Sequence, residues 1–188
     1  PAPTPLSSIL SLIGYNGTPV ANARLAALSA GMDLVDVNDL INESSKVHRE
    51  SLRIAASLNN SSDTTVAFPT SEIGKQLKQV ARLVKNRDAL NMNRQIFFCT
   101  VDGFDTHSGQ LNGQAGLFSQ FSQAARAFYD ETVVQGVADK VTQFTLSDFG
   151  RTFGPGGSGA NVGSDHAWAN HAFVIGGSVI GGDFYGMN

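Results

Sequence analysis

The sequence predicts an α/β fold built on a mainly parallel sheet. Three observations lead there. Amphipathic helical stretches alternate with runs of bulky apolar residues, those runs have strand length, and polar segments rich in Asp and His follow them. In open α/β sheets ligands bind outside the carboxyl ends of the strands, which is where these polar segments fall.

Residues 1–70 are expected to form a poorly defined, partly helical N-terminal segment, and residues 71–188 the α/β part. Within the first segment, Ala21–Ser29 suits a short helix stopped by Gly31, and Lys46–Leu58 suits a second one carrying Val47, Ile54, Ala55 and Leu58. Asn59 to Asp63 is a turn-rich break. After Pro69, Thr70 is a suitable N-cap, and Ile73, Leu77, Val80, Ala81 and Val84 recur at helical spacing between basic residues. Gln95–Val101 carries a run of bulky apolar residues that suits a strand buried on both faces. A long helix follows from about Ala115 to Gln135, with Leu117, Phe118, Phe121, Ala124, Ala125 and Phe128 on its core face and Gly136 near its stop. Lys140–Leu146 reads as the next strand, Ala172–Ile175 as a third and Ser178–Ile180 as a short fourth. Between them, Gly154–Gly163 is a glycine-rich loop of a length that usually serves function.

The 188 residues suffice for one domain with a sizeable core. Charged residues make up only 15% and the formal net charge is -3, so no broad positive field exists to gather a nucleic acid backbone. No window approaches 18 consecutive apolar residues, and no transmembrane segment is expected. The single cysteine, Cys99, sits inside an apolar run and reads as a small core residue. His48, on the second helix with no acidic or histidine partner at ligand spacing, reads as a surface histidine.

The other three histidines lie in the polar segments at strand ends, each near an aspartate: Asp105 with His107, Asp165 with His166, and His171 five residues on. Asp148 follows the Lys140–Leu146 strand. Mixed carboxylate and imidazole donors suit Zn²⁺ or Mn²⁺, while Ca²⁺ and Mg²⁺ remain compatible with the carboxylates. Together these groups would repel or desolvate one another in one cleft unless a cation were bound; a hydrogen-bonded structural network is the other reading. Arg151 could hold a substrate oxyanion through its guanidinium or form a salt bridge to Asp148. Ser147, Thr152 and Ser164 read as loop hydrogen-bonders, and Trp168 and Phe149 as packing residues that could also wall a site.

The segments VDGFDTHSGQ, TLSDFGRTFG and GSDHAWANHAFVIGGSVIGGDFYG resemble the bacterial family called domain of unknown function 1501, whose members carry GGFDTH, SEFGRT and GTDHG in that order. The match runs from about Gln76 to Gly186, with Asp102, Asp148 and Ala167 standing where the family has Gly, Glu and Gly. The resemblance implies an alkaline-phosphatase-like, three-layer α/β/α sandwich and a metal-dependent hydrolase of phosphate or sulfate esters. Asp105, His107 and Asp148 would then be metal ligands, completed by His166 or His171, with Asp165 ligating directly or orienting a histidine. It also implies a periplasmic or secreted protein exported by the twin-arginine route. This chain would be the C-terminal half, its partners being the rest of the same protein's fold and a small anionic ester. The isolated chain is expected to turn over negligibly. The alternative function is a non-catalytic surface or secreted binding protein.

Overall fold

A computed structural model describes residues 17–59, 62–167 and 169–186. The chain divides into two compact units, Pro1–Asp63 with Arg82–Gln95 and Thr64–Ala81 with Ile96–Asn188.

In the first unit, α1 (Pro19–Met32) starts where the Thr18 hydroxyl accepts the Ala21 N–H at 3.3 Å and Pro19 occupies a first-turn position that needs no donor. It runs through Gly31, the residue expected to stop it, and ends where the Asp33 N–H returns to the Ser29 and Ala30 carbonyls at 3.2 Å. α2 (Asp39–Asn59) begins seven residues earlier than its apolar spacing suggests, because Asn38 caps it: Asn38 Oδ1 accepts the Leu40 N–H at 2.9 Å. The break expected at Asn59 to Asp63 includes Asn60 and Ser61, which lie outside the described residues. α3 (Glu72–Lys85) passes from one unit into the other, and the short α4 (Arg87–Leu90) follows. Leu90 is buried with Ile54 and Leu83 around it, and Arg53 donates to the Ala89 and Leu90 carbonyls that end α4.

In the second unit, the α3 cap is Ser71, one residue beyond the expected Thr70, with its hydroxyl accepting the Gly74 N–H at 3.3 Å. Ile73, Leu77, Val80 and Ala81 are buried, as their spacing predicts. α5 (Gln110–Val134) ends as expected at Gly136, whose φ of 67° takes the left-handed turn that other residues resist. Its core face is Ala124, Ala125, Ala127 and Phe128, whereas Phe118 stays exposed. Glu131, also on α5, is 0% exposed: Oε2 accepts the N–H groups of Thr65 and Val66 at 2.9 and 2.7 Å, and Oε1 accepts from Gln135 Nε2 at 3.0 Å. A 3-10 turn at Ala138–Lys140 leads to β1 (Thr142–Phe144). β1 pairs antiparallel with β4 (Val174–Gly176), setting Thr142 opposite Gly176 and Phe144 opposite Val174. Between them, β2 (Gly150–Arg151) and β3 (His166–Ala167) form a second antiparallel pair, with Arg151 opposite His166.

The predicted fold class is therefore corrected. The described residues form a helix-rich chain with two small antiparallel sheets, and neither a mainly parallel sheet nor a three-layer α/β/α sandwich is among them. Two expected strands do form, but they are short and lie side by side with opposite directions. What joins β1 to β4 is a loop region carrying the β2–β3 pair, where a parallel pair would require a crossover helix. Gln95–Val101 is not a strand: Ile96 and Phe98 are 97% and 87% exposed. An apolar run signals a strand only when a neighbour supplies the ladder. Here Gln76 stands in for that neighbour at one residue, its side-chain amide donating to the Thr100 carbonyl and accepting the Thr100 N–H, both at 3.0 Å. Ser178–Ile180 is likewise turn and irregular backbone. No helix among the described residues is long and apolar enough to cross a membrane.

Candidate metal centre

Three of the residues nominated by sequence converge in the second unit. Single ligand atoms of Asp105, His107 and His166 all lie within 4.8 Å of one another. Asp105 Oδ1 is the hub, 2.8 Å from His166 Nε2 and 3.0 Å from His107 Nε2. The two imidazole centroids are 5.1 Å apart. The His166 hydrogen bond above all holds the Asp105 carboxyl below its usual range; loss of solvation opposes it, and the nearby charges of His107 and His166 and the hydrogen bond from Arg151 add to the lowering.

The local backbone explains how residues some sixty positions apart meet. Asp105 and His107 lie in the irregular segment before α5, and the Gln110 N–H that opens the helix donates to the Val162 carbonyl at 3.0 Å. Ser164, which is buried, reaches the same residue, its hydroxyl donating to Gln110 Oε1 at 2.6 Å. His166 is held in register by β3, and the Asp165 N–H is bonded to the Thr152 hydroxyl at 3.2 Å. Gly163 packs so closely on the main chain of His107 and Ser108 that a β-carbon there would overlap the His107 carbonyl. Gly163→Ala is thus expected to push the His107 segment away and to cost about 1–3 kcal/mol of stability, as overpacking does. Thermal melts alongside metal titration would check it, an unchanged midpoint and affinity being the contrary result.

Asp165 lies outside the three-member group and contacts His107. Its Oδ1 lies 3.2 Å from His107 Nδ1, while Nε2 of the same ring lies 3.0 Å from Asp105 Oδ1, so the two carboxylates hold the ring from opposite nitrogens. The donor set of one carboxylate and two imidazoles is one that divalent transition metals accept. The 2.8 and 3.0 Å separations approach the ligand-to-ligand edge of a tetrahedral site, about 3.3 Å for bonds near 2.0 Å. The group could therefore hold a metal ion.

Asp148 and His171 are exposed and outside this three-member group. Arg151 pairs with Asp105, at 3.0 Å, in place of the Asp148 pairing that sequence proximity suggested. Ser147 and Thr152 donate their hydroxyls to the Phe149 and Gly154 carbonyls at 2.9 and 3.0 Å. Phe149 does wall the site, its ring stacked on His166 with centroids 4.5 Å apart. The Phe104 ring is in edge contact with Phe118 of α5, with centroids 5.3 Å apart. Trp168 lies outside the described residues. Cys99 is half-buried, and burial pushes its thiol up, away from thiolate reactivity.

A family model described as Protein of unknown function (DUF1501) matches residues 21–188. The chain belongs to this DUF1501 family. The matched span takes in every nominated ligand of the DUF1501 chain and most of the segment before residue 71. No curated protein and no solved structure matches the chain.

Proposed function

We propose that this chain provides a divalent-metal centre, Zn²⁺ or Mn²⁺, to a hydrolase of small phosphate or sulfate esters. The observation that carries the proposal is the convergence of Asp105, His107 and His166 on one point, with Asp165 behind His107. Such an ion would supply Lewis-acid polarisation of the ester oxygen. Asp105 contributes the negative charge, the two imidazoles contribute neutral nitrogen donors, and Asp165 keeps the His107 ring turned so that Nε2 meets the ion. The side chains of the three ligands are about half exposed, which leaves room for an ester to approach. The three ordered motifs are those of the DUF1501 family, and the ester-hydrolase reaction class and export to the periplasm are part of the same proposal.

Asp105 Oδ1 already contacts two imidazoles and a guanidinium, and this favours one competing reading: a binding protein in which the cluster is a structural ion-pair network. Elemental analysis of the purified full-length protein, with aryl phosphate and aryl sulfate assays before and after chelation, separates the two. Bound metal with chelator-sensitive turnover is expected. A protein devoid of metal, or one whose turnover survives chelation, sinks the hydrolase proposal.

A further inference from the structure

Arg151 has the charge to bind a substrate oxyanion, yet its donors are directed into the protein. Nη2 donates to the Phe104 carbonyl at 2.7 Å and to Asp105 Oδ1 at 3.0 Å, and Nη1 donates to the Ser164 carbonyl. Nε is buried without a hydrogen-bond partner, so it is no more accessible to a substrate than the others. Only 16% of the side chain is exposed. The guanidinium carbon sits 4.9 Å from the centroid of the Phe149 ring, the same ring that stacks on His166. On the main chain Arg151 faces His166 across the β2–β3 ladder.

One side chain thus touches both segments that deliver ligands. It grips the carbonyl just before Asp105, the Asp105 carboxylate itself, and the carbonyl two residues before His166. Spanning two carbonyls and a carboxylate while lying on an aromatic ring requires a planar fork of several donors, which arginine has and lysine lacks. A substrate anion could recruit these donors only by stripping partners from both backbone segments.

We infer that Arg151 is a positioning residue that clamps the Asp105 segment to the His166 segment and so sets the spacing of the metal ligands. The inference rests on the metal-centre reading above. It makes a prediction opposite in sign to that of a simple nearby charge. A guanidinium acting only through its charge repels a divalent cation, and its removal would tighten metal binding. A clamp works the other way: losing it scatters the ligands and weakens binding, by about 10- to 100-fold where outer-shell partners have this role.

The experiment is titration of the chelated full-length protein with Co²⁺, followed by the visible absorption of the bound ion, for wild type, Arg151→Lys and Arg151→Met. Both variants are expected to bind Co²⁺ about 10- to 100-fold more weakly, with an altered visible spectrum. Arg151→Lys keeps the charge and serves if Arg151→Met fails to fold. If Arg151→Lys has wild-type affinity and spectrum, or Arg151→Met binds more tightly, the clamp is overturned and the metal centre stands. If Arg151→Lys raises the KM for an aryl phosphate with Co²⁺ affinity unchanged, Arg151 contacts substrate and the clamp is likewise overturned. If wild type binds no Co²⁺, both readings fall together.

Discussion

Glu131→Ala is expected to lower stability by about 3 kcal/mol or more, a fall in melting temperature of roughly 10 °C for a chain of this size. The Glu131 carboxylate is fully buried and accepts three hydrogen bonds, from the Thr65 and Val66 N–H groups and from Gln135 Nε2. Truncation removes the acceptor and leaves two backbone donors and a side-chain amide behind, each costing on the order of 1–3 kcal/mol if water cannot reach it. Gln135 also donates to the Ala81 carbonyl at the end of the buried α3 face, so the disturbance spreads along two helices and the segment before α3. Glu131→Gln retains one acceptor oxygen and should lose less. Equal melting temperatures for Glu131→Ala and wild type would show that the 64–66 segment is not held by this carboxylate.

Glu131 also marks a boundary of what the sequence reveals. Its position on α5 follows from helical spacing, but nothing in that spacing tells a buried acceptor from a solvated glutamate, because its partners are backbone amides more than sixty residues away. The helices themselves were legible: α3 and α5 carry apolar faces with a period that local sequence sets, and Gly136 ends α5 where a left-handed residue is needed. Strand partners were not. Lys140–Leu146 and Ala172–Ile175 each supply a real strand in β1 and β4, but direction depends on what the intervening chain does, and two apolar runs look alike in parallel or antiparallel pairs. The run at Gln95–Val101 shows the same limit, its ladder being replaced at Thr100 by one glutamine side chain.

The site was more legible than the sheet, since chemistry is local even where topology is not. Asp105 and His107 sit two residues apart, and Asp165 and His166 are adjacent, so each pair could be nominated without knowing how the segments meet. What no spacing could specify is the division of labour. Asp105 meets both His107 and His166, whereas Asp165 turns away from its neighbour His166 toward His107 of the other segment. Arg151 is the joint that sequence came closest to misplacing, because proximity to Asp148 counts for less than the ladder that sets it opposite His166.

Asp105→Ala is expected to reduce bound metal from about one equivalent per chain to less than about a tenth, because it leaves two imidazoles where catalytic sites use three protein ligands. The fold should persist. His107 keeps Asp165, and Arg151 keeps the Phe104 and Ser164 carbonyls. Asp105 is itself exposed, so circular dichroism and the melting temperature should change little while metal content collapses. The informative contrast is with Asp148→Ala and His171→Ala, which alter residues nominated by sequence but outside the three-member group. Under a three-ligand site both retain near wild-type metal. Loss of metal in Asp148→Ala with Asp105→Ala unaffected would move the centre to the end of β1. Retention in all three would return the cluster to an ion-pair network, in which Asp105 balances the charge of Arg151 and orders two histidines without an ion.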